Sequence, residues 1–150
     1  MNHIGKTAII DQYIRQILSE EPIPTIGCDK YIKEININGN RLNVEIWDSC
    51  GDEQYRAGNQ IFMQNKDIAL LIYDITDRRS FEKLNYWKQT VKKINKINNK
   101  EVLFGVIGNK NDLDEEREID EEEGKKFAKD NNALFFEISA KDYENVENVF

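Results

Sequence analysis

The sequence predicts an α/β domain built on a mostly parallel, doubly wound sheet with one antiparallel hairpin strand. Three observations carry this expectation. Ile68–Tyr73 (I-A-L-L-I-Y) and Glu101–Ile107 (E-V-L-F-G-V-I) are apolar runs of the kind that strands buried on both faces require. Segments with apolar residues at helical spacing separate such runs. Asn38-Gly39 sits between two alternating segments, the signal of a tight hairpin turn.

Each element follows from its own pattern. Lys6–Leu18 is expected to be a helix, because Ile9, Ile10, Tyr13, Ile14, Ile17 and Leu18 recur on one face. Ile35 and Ile37, then Leu42, Val44 and Ile46, alternate with polar residues as hairpin strands do. Ser80–Ile97 predicts a second helix with Phe81, Leu84, Trp87, Val91 and Ile94 turned inward. Asp120 with Glu123 makes a capping-box pattern that opens a short helix to about Lys129. Leu134–Ile138 is a further strand, and Glu144–Phe150 is the first turn or two of a last helix. Strands alternating with helices give a parallel sheet covered on both sides.

With 150 residues the chain is expected to form one domain with a real core, residues 1–150. A formal net charge of -7 argues against a nucleic-acid backbone or an anionic membrane as the main partner. It does not argue against a nucleotide, since a phosphate site is a local gathering of N–H groups, lysine and metal. Cys28 and Cys50 have no metal-ligand spacing and read as reduced thiols. The sequence contains neither an apolar run of membrane-spanning length nor a signal peptide.

Chemistry concentrates in the turns that follow strands, where open α/β sheets place their ligands. Asn109-Lys110-Asn111-Asp112 follows Glu101–Ile107. An aspartate there can accept from both the ring N–H and the exocyclic amine of guanine, a pair of donors that adenine lacks. Asp112 would therefore select guanine. Asn109 can contact the base and tie loops together, and the Lys110 stem can cover the purine face. Gly5-Lys6-Thr7 is the tail of a Walker A pattern, in which loop N–H groups cradle phosphates, Lys6 reaches the terminal ones and Thr7 Oγ1 binds Mg²⁺. The first glycine of that pattern is absent, and G-K-T alone reads more readily as an ordinary helix start. Asp48 ends a strand ahead of Ser49-Cys50-Gly51-Asp52-Glu53, which suits a carboxylate that holds Mg²⁺ through water, with Gly51 permitting close approach to a terminal phosphate. Thr25, in a prolyl loop, could present its hydroxyl to the metal, but spacing alone does not separate this from a plain connection. Ser139-Ala140-Lys141 could set a backbone N–H near the guanine carbonyl and a lysine stem against the base, or could be a strand-to-helix turn with serine as cap.

In this order, and each at a strand end, these motifs resemble the Ras superfamily of small GTPases over nearly the whole chain. Thr25-Ile26-Gly27, Glu45-Ile46-Trp47-Asp48 and Leu71-Ile72-Tyr73-Asp74-Ile75-Thr76-Asp77 look most like its Rab branch. The resemblance implies a P-loop NTPase fold and a GTP/GDP switch with Mg²⁺ held by Thr7, Thr25 and Asp48. It also implies loops around Thr25 and Gly51–Gln60 that order against the γ-phosphate. Effectors, an exchange factor and an activating protein would read those loops, and the role would lie in vesicle traffic. It implies a cytoplasmic protein, placed at the cytosolic face of endomembranes if the full-length protein is prenylated.

Four departures from the family shape the expectations. The family begins with a strand in the middle of the sheet, whereas Met1 already falls inside the phosphate loop. The first central strand is thus expected to be missing, leaving backbone groups of its neighbours unpaired, as in a fragment or incomplete gene model. The far end stops at Phe150, without the family's prenylated tail. Asp52 stands at the catalytic glutamine position, next to Gly51. An ionised aspartate only accepts hydrogen bonds and sets like charge beside developing negative charge. At about 5 Å and an effective dielectric of about 20 the repulsion is roughly 3 kcal/mol, or about two decades in rate. Leu18 replaces the aromatic residue that packs on guanine, and Pro22 replaces another that closes over the phosphates, so faster nucleotide release is expected. His3, Ser49 and Cys50 are further replacements, with His3 read as a solvent-facing loop residue. The competing function is a pseudo-GTPase, a partner-binding module without turnover; a P-loop kinase would have no use for a guanine-selecting aspartate.

Overall fold

A computed structural model describes residues 4–16, 27–49, 61–97 and 99–150. Helix α1 covers Lys6–Arg15 and stops where Gln16 turns into the left-handed region, φ 54°. Its buried side is Ile9, Ile10, Gln12 and Tyr13; the expected continuation to Leu18 lies outside the described residues. Strands β1 (Cys28–Ile37) and β2 (Asn40–Ser49) form the expected hairpin. Asn38 and Gly39 at its tip have φ of 53° and 83°, the mirror-image turn that matches the twist of paired strands. The apolar alternation buries less than it promised. Ile35, Val44 and Ile46 are half-buried, but Ile37 and Leu42 near the tip are half-exposed, because nothing among the described residues covers that end.

The parallel sheet is β3 (Ile68–Asp74), β4 (Leu103–Asn109) and β5 (Ala133–Ile138), in that order, with Asp74 beside Asn109 and Asn109 beside Ile138. Period-two alternation divides its side chains between two faces. Leu71, Tyr73, Phe104 and Val106 face Phe81, Leu84, Val91 and Ala128. Ile107 and Ile138 face Ile9, Tyr13 and Val146. The sheet is therefore covered on both sides, as expected. Burial of a run is lost where a strand enters the sheet: Ile68, Leu103 and Leu134 are each at least 60% exposed.

Three local expectations are corrected. The helix expected over Ser80–Ile97 is two helices, α2 (Arg78–Glu82) and α3 (Leu84–Lys96), broken at Lys83. Asp77 caps α2 by accepting from the Arg79 N–H, so the helical segment starts two residues earlier. Helix α4 (Glu121–Asp130) starts after Asp120, but no side-chain cap bond forms there. The Glu123 carboxylate instead meets Arg78, 45 positions earlier in the chain, at 2.5 Å, and this ion pair replaces the capping box. The final segment is a short 3-10 helix, Val146–Val149, after which Phe150 stacks on Tyr13 with ring centroids 3.9 Å apart.

The hairpin does not join the parallel sheet by hydrogen bonds: each is its own sheet. Among the described residues no strand pairs with both β2 and β3. A cavity of about 100 Å³ is lined by residues that include Ile4, Lys6, Ser49, Leu71, Leu84 and Trp87. Side chains tie the hairpin to the body instead. Lys33 Nζ donates to the Tyr13 carbonyl at 2.6 Å and lies 3.6 Å from the Tyr13 ring centroid.

Candidate nucleotide site

Five chain segments meet where β2, β3, β4 and β5 end and α1 begins. Gly5 enters α1 with φ 85° and ψ 24°. A Cβ there would fall 2.4 Å from Asn109 Nδ2, so the position takes glycine for both conformation and space. Lys6 opens the helix half-buried, and Thr7 Oγ1 donates to Asp48 Oδ2 at 2.5 Å. Asp48 is 1% exposed. A hydroxyl and a carboxylate side by side are hard oxygen donors, the chemistry Mg²⁺ takes when phosphate and water supply the rest of its shell. Among the described residues, no cluster of three or more His, Cys, Asp or Glu side chains could hold a metal without such help.

Asn109 is the junction. It is 1% exposed; its Nδ2 donates to the Ile4 carbonyl at 2.9 Å, and its Oδ1 accepts from the Ala140 N–H at 3.1 Å. It thus joins the turn before α1 to the turn after β5, the tying role expected of it. The Ala140 N–H, a candidate donor to a base carbonyl, is engaged by Asn109 here. Gln12, on the inward face of α1, adds a second tie by donating to the Ala140 carbonyl at 2.8 Å. The sequence reading did not single out Gln12. Its signal was a polar residue one turn from Ile9 on an otherwise apolar stripe.

Asp112 is held through both carboxylate oxygens. Its Oδ1 accepts from Ser139 Oγ at 2.8 Å, and Lys141 Nζ lies 3.7 Å from its Oδ2. Ser139 Oγ also accepts from the Asp142 N–H at 3.0 Å, so this serine both caps the turn and orients the aspartate. Lys110 stands between, with φ 70°, and its Nζ pairs with Asp74 Oδ2 at 2.5 Å.

Cys28 ends up opposite Ser49 across the hairpin as a free thiol. Burial, then the nearby Asp48 and Asp29 carboxylates, push its pKa up to about 11. Leu18, Thr25, Gly51 and Asp52, with His3, Pro22 and Cys50, lie outside the described residues. The structure therefore brings together Gly5, Lys6, Thr7, Asp48, Asn109, Lys110, Asp112, Ser139, Ala140 and Lys141.

Residues 1–150 match the family model described as the Ras family. The chain belongs to that family. Its relatives carry Rab names: Ras-related protein RabQ of Dictyostelium discoideum is 41% identical over 98% of this chain and 71% of that protein. Ras-related protein Rab-17 of Mus musculus is 37% identical over 98% of this chain and 67% of that protein. Ras-related protein Rab-21 of Homo sapiens is 33% identical over 98% of this chain and 64% of that protein. This Ras-family chain is thus a Rab-type small GTPase by sequence, and it spans roughly two thirds of the length of these relatives. The family is one of GTP-binding switches, with the Rab branch in vesicle traffic. No helix among the described residues is long and apolar enough to cross a membrane.

Proposed function

We propose that the chain binds GTP and GDP with Mg²⁺ at this rim and hydrolyses GTP slowly. The observation that carries the reading is the arrangement of Asp112. Its two carboxylate oxygens are oriented by Ser139 and Lys141, one each, just past the strand whose Asn109 reaches the turn before α1. In the proposed complex the turn at Gly5 and the N-terminus of α1 receive the phosphates, and Lys6 neutralises their charge. Thr7 and Asp48, with Thr25, would hold the metal, which would supply positive charge to the phosphate oxygens. The Lys110 stem covers the purine, and Asp112 accepts from its edge. Leu18 contributes a smaller contact than a ring would.

Slow hydrolysis rests on Asp52, which can neither donate to nor orient an attacking water as an amide can. The loops around Thr25 and Gly51–Gln60 are proposed as the surfaces that effectors, the exchange factor and the activating protein read. A displacement assay tests the nucleotide reading. Fluorescent GDP bound with Mg²⁺ is released by excess GTP and retained against the same excess of ATP. A chain that retained no nucleotide would instead favour the partner-binding pseudo-GTPase.

A further inference from the structure

We propose that Asp74 is a positioning residue for the nucleotide, acting through Lys110; the inference rests on the guanine-nucleotide reading above. The carboxylate is an anchor with both oxygens committed. Its Oδ1 accepts from the Thr76 N–H at 2.9 Å and from Thr76 Oγ1 at 2.7 Å, and its Oδ2 takes Lys110 Nζ at 2.5 Å. Its backbone is fixed as well, since the Asp74 N–H donates to Ser80 Oγ at 3.0 Å and the next residue, Ile75, donates to the Asn109 carbonyl at 3.1 Å. Asp74 and Asn109 are register partners in β3 and β4, so the anchor stands beside the residue that precedes Lys110.

Lys110 needs such an anchor. Its φ of 70° and ψ of 37° are a backbone state that side chains other than glycine, asparagine and aspartate seldom occupy. Its four-carbon stem is flexible, and a ligand that must order it loses affinity. The Asp74 side chain is 8% exposed and that of Lys110 31%, so the pair is sheltered while the lysine still reaches the surface. An ammonium held at its tip leaves the stem pre-arranged over the place where the base would lie. In the sequence Asp74 ends an apolar run and falls within the Rab-like stretch Leu71–Asp77, but no spacing rule connects it to Lys110.

The test is a double-substitution cycle read as the release rate of fluorescent GDP with Mg²⁺. Asp74→Asn keeps a carbonyl to accept from Thr76 and removes the charge, so the nucleotide-free melting temperature should stay close to the parent's. GDP release should rise about tenfold, as loss of a sheltered charge-assisted contact would give. Lys110→Met should raise release at least as much, and adding Asp74→Asn to it should change nothing further. Release from Asp74→Asn at the parent's rate overturns the role, as does a full tenfold effect that persists in the Lys110→Met background. Failure of the parent chain to retain GDP overturns the nucleotide reading together with this role, so the two failures are distinct.

Discussion

The Asn109 side chain donates to the carbonyl of Ile4, 105 positions earlier in the chain, at 2.9 Å. One amide thereby fixes the turn before α1 against the end of β4. Because its oxygen accepts from Ala140, the same amide sets the turn after β5. Asn109→Ala would strand a buried carbonyl and a buried N–H, at a cost of about 2–3 kcal/mol in folding stability. Denaturant unfolding measures this directly, and an unchanged midpoint would contradict it.

Gly5 and Gly39 share a positive φ, of 85° and 83°, but differ in what surrounds them. A Cβ at Gly5 meets Asn109 Nδ2 at 2.4 Å, whereas at Gly39 nothing lies within 4 Å. Gly39→Ala should cost about 1 kcal/mol, from backbone strain alone, and leave nucleotide affinity untouched. Gly5→Ala should cost more and weaken GDP binding, because it displaces the Asn109 amide. Thermal unfolding and GDP titration of both variants check the contrast.

Cys28 should be a poor nucleophile at neutral pH. With its pKa pushed up to about 11, the thiolate is scarce, since a raised thiol pKa favours the protonated form. Against an ordinary thiol near 8.5, alkylation at pH 8 should be slower by roughly 100-fold and should keep accelerating up to about pH 11. Iodoacetamide labelling in a Cys50→Ser background, followed by mass, reads the rate.

Asp52→Gln should raise single-turnover GTP hydrolysis by about two decades, the equivalent of roughly 3 kcal/mol of repulsion removed. Equal rates for parent and variant would remove Asp52 as the cause of slow turnover.

The sequence carried the local architecture wherever one residue pattern dominates. Asn38-Gly39 fixed the hairpin register, and the run ending in Tyr73 located β3 to within a residue. What escaped was decided by distant partners. Nothing in Phe81-Glu82-Lys83-Leu84 is a helix breaker, yet α2 ends at Glu82 and α3 starts at Leu84. Glu123 fitted a capping box but found Arg78, 45 positions away. Asn95, inside an amphipathic helix, is fully buried because its amide donates to the Met63 and Val91 carbonyls. At the site, the motif residues were legible one by one, whereas their supports, Gln12 and Asp74, were not. Those two act through contacts 128 and 36 positions along the chain, which no local window contains.

The central claim, that Asp112 reads a guanine edge, is tested most directly by base selectivity. Fluorescent GDP bound to the chain with Mg²⁺ is titrated with GTP, ATP and xanthosine triphosphate, for the parent and for Asp112→Asn. The parent should prefer GTP over ATP by at least about 1,000-fold, because a carboxylate built to accept two donors is left unpaired against adenine. The asparagine amide offers one donor and one acceptor, so the variant should lose GTP affinity and gain xanthosine triphosphate, whose ring N–H and adjacent carbonyl match it. Equal displacement of GDP by ATP and GTP in the parent, or unchanged selectivity in Asp112→Asn, would contradict the account.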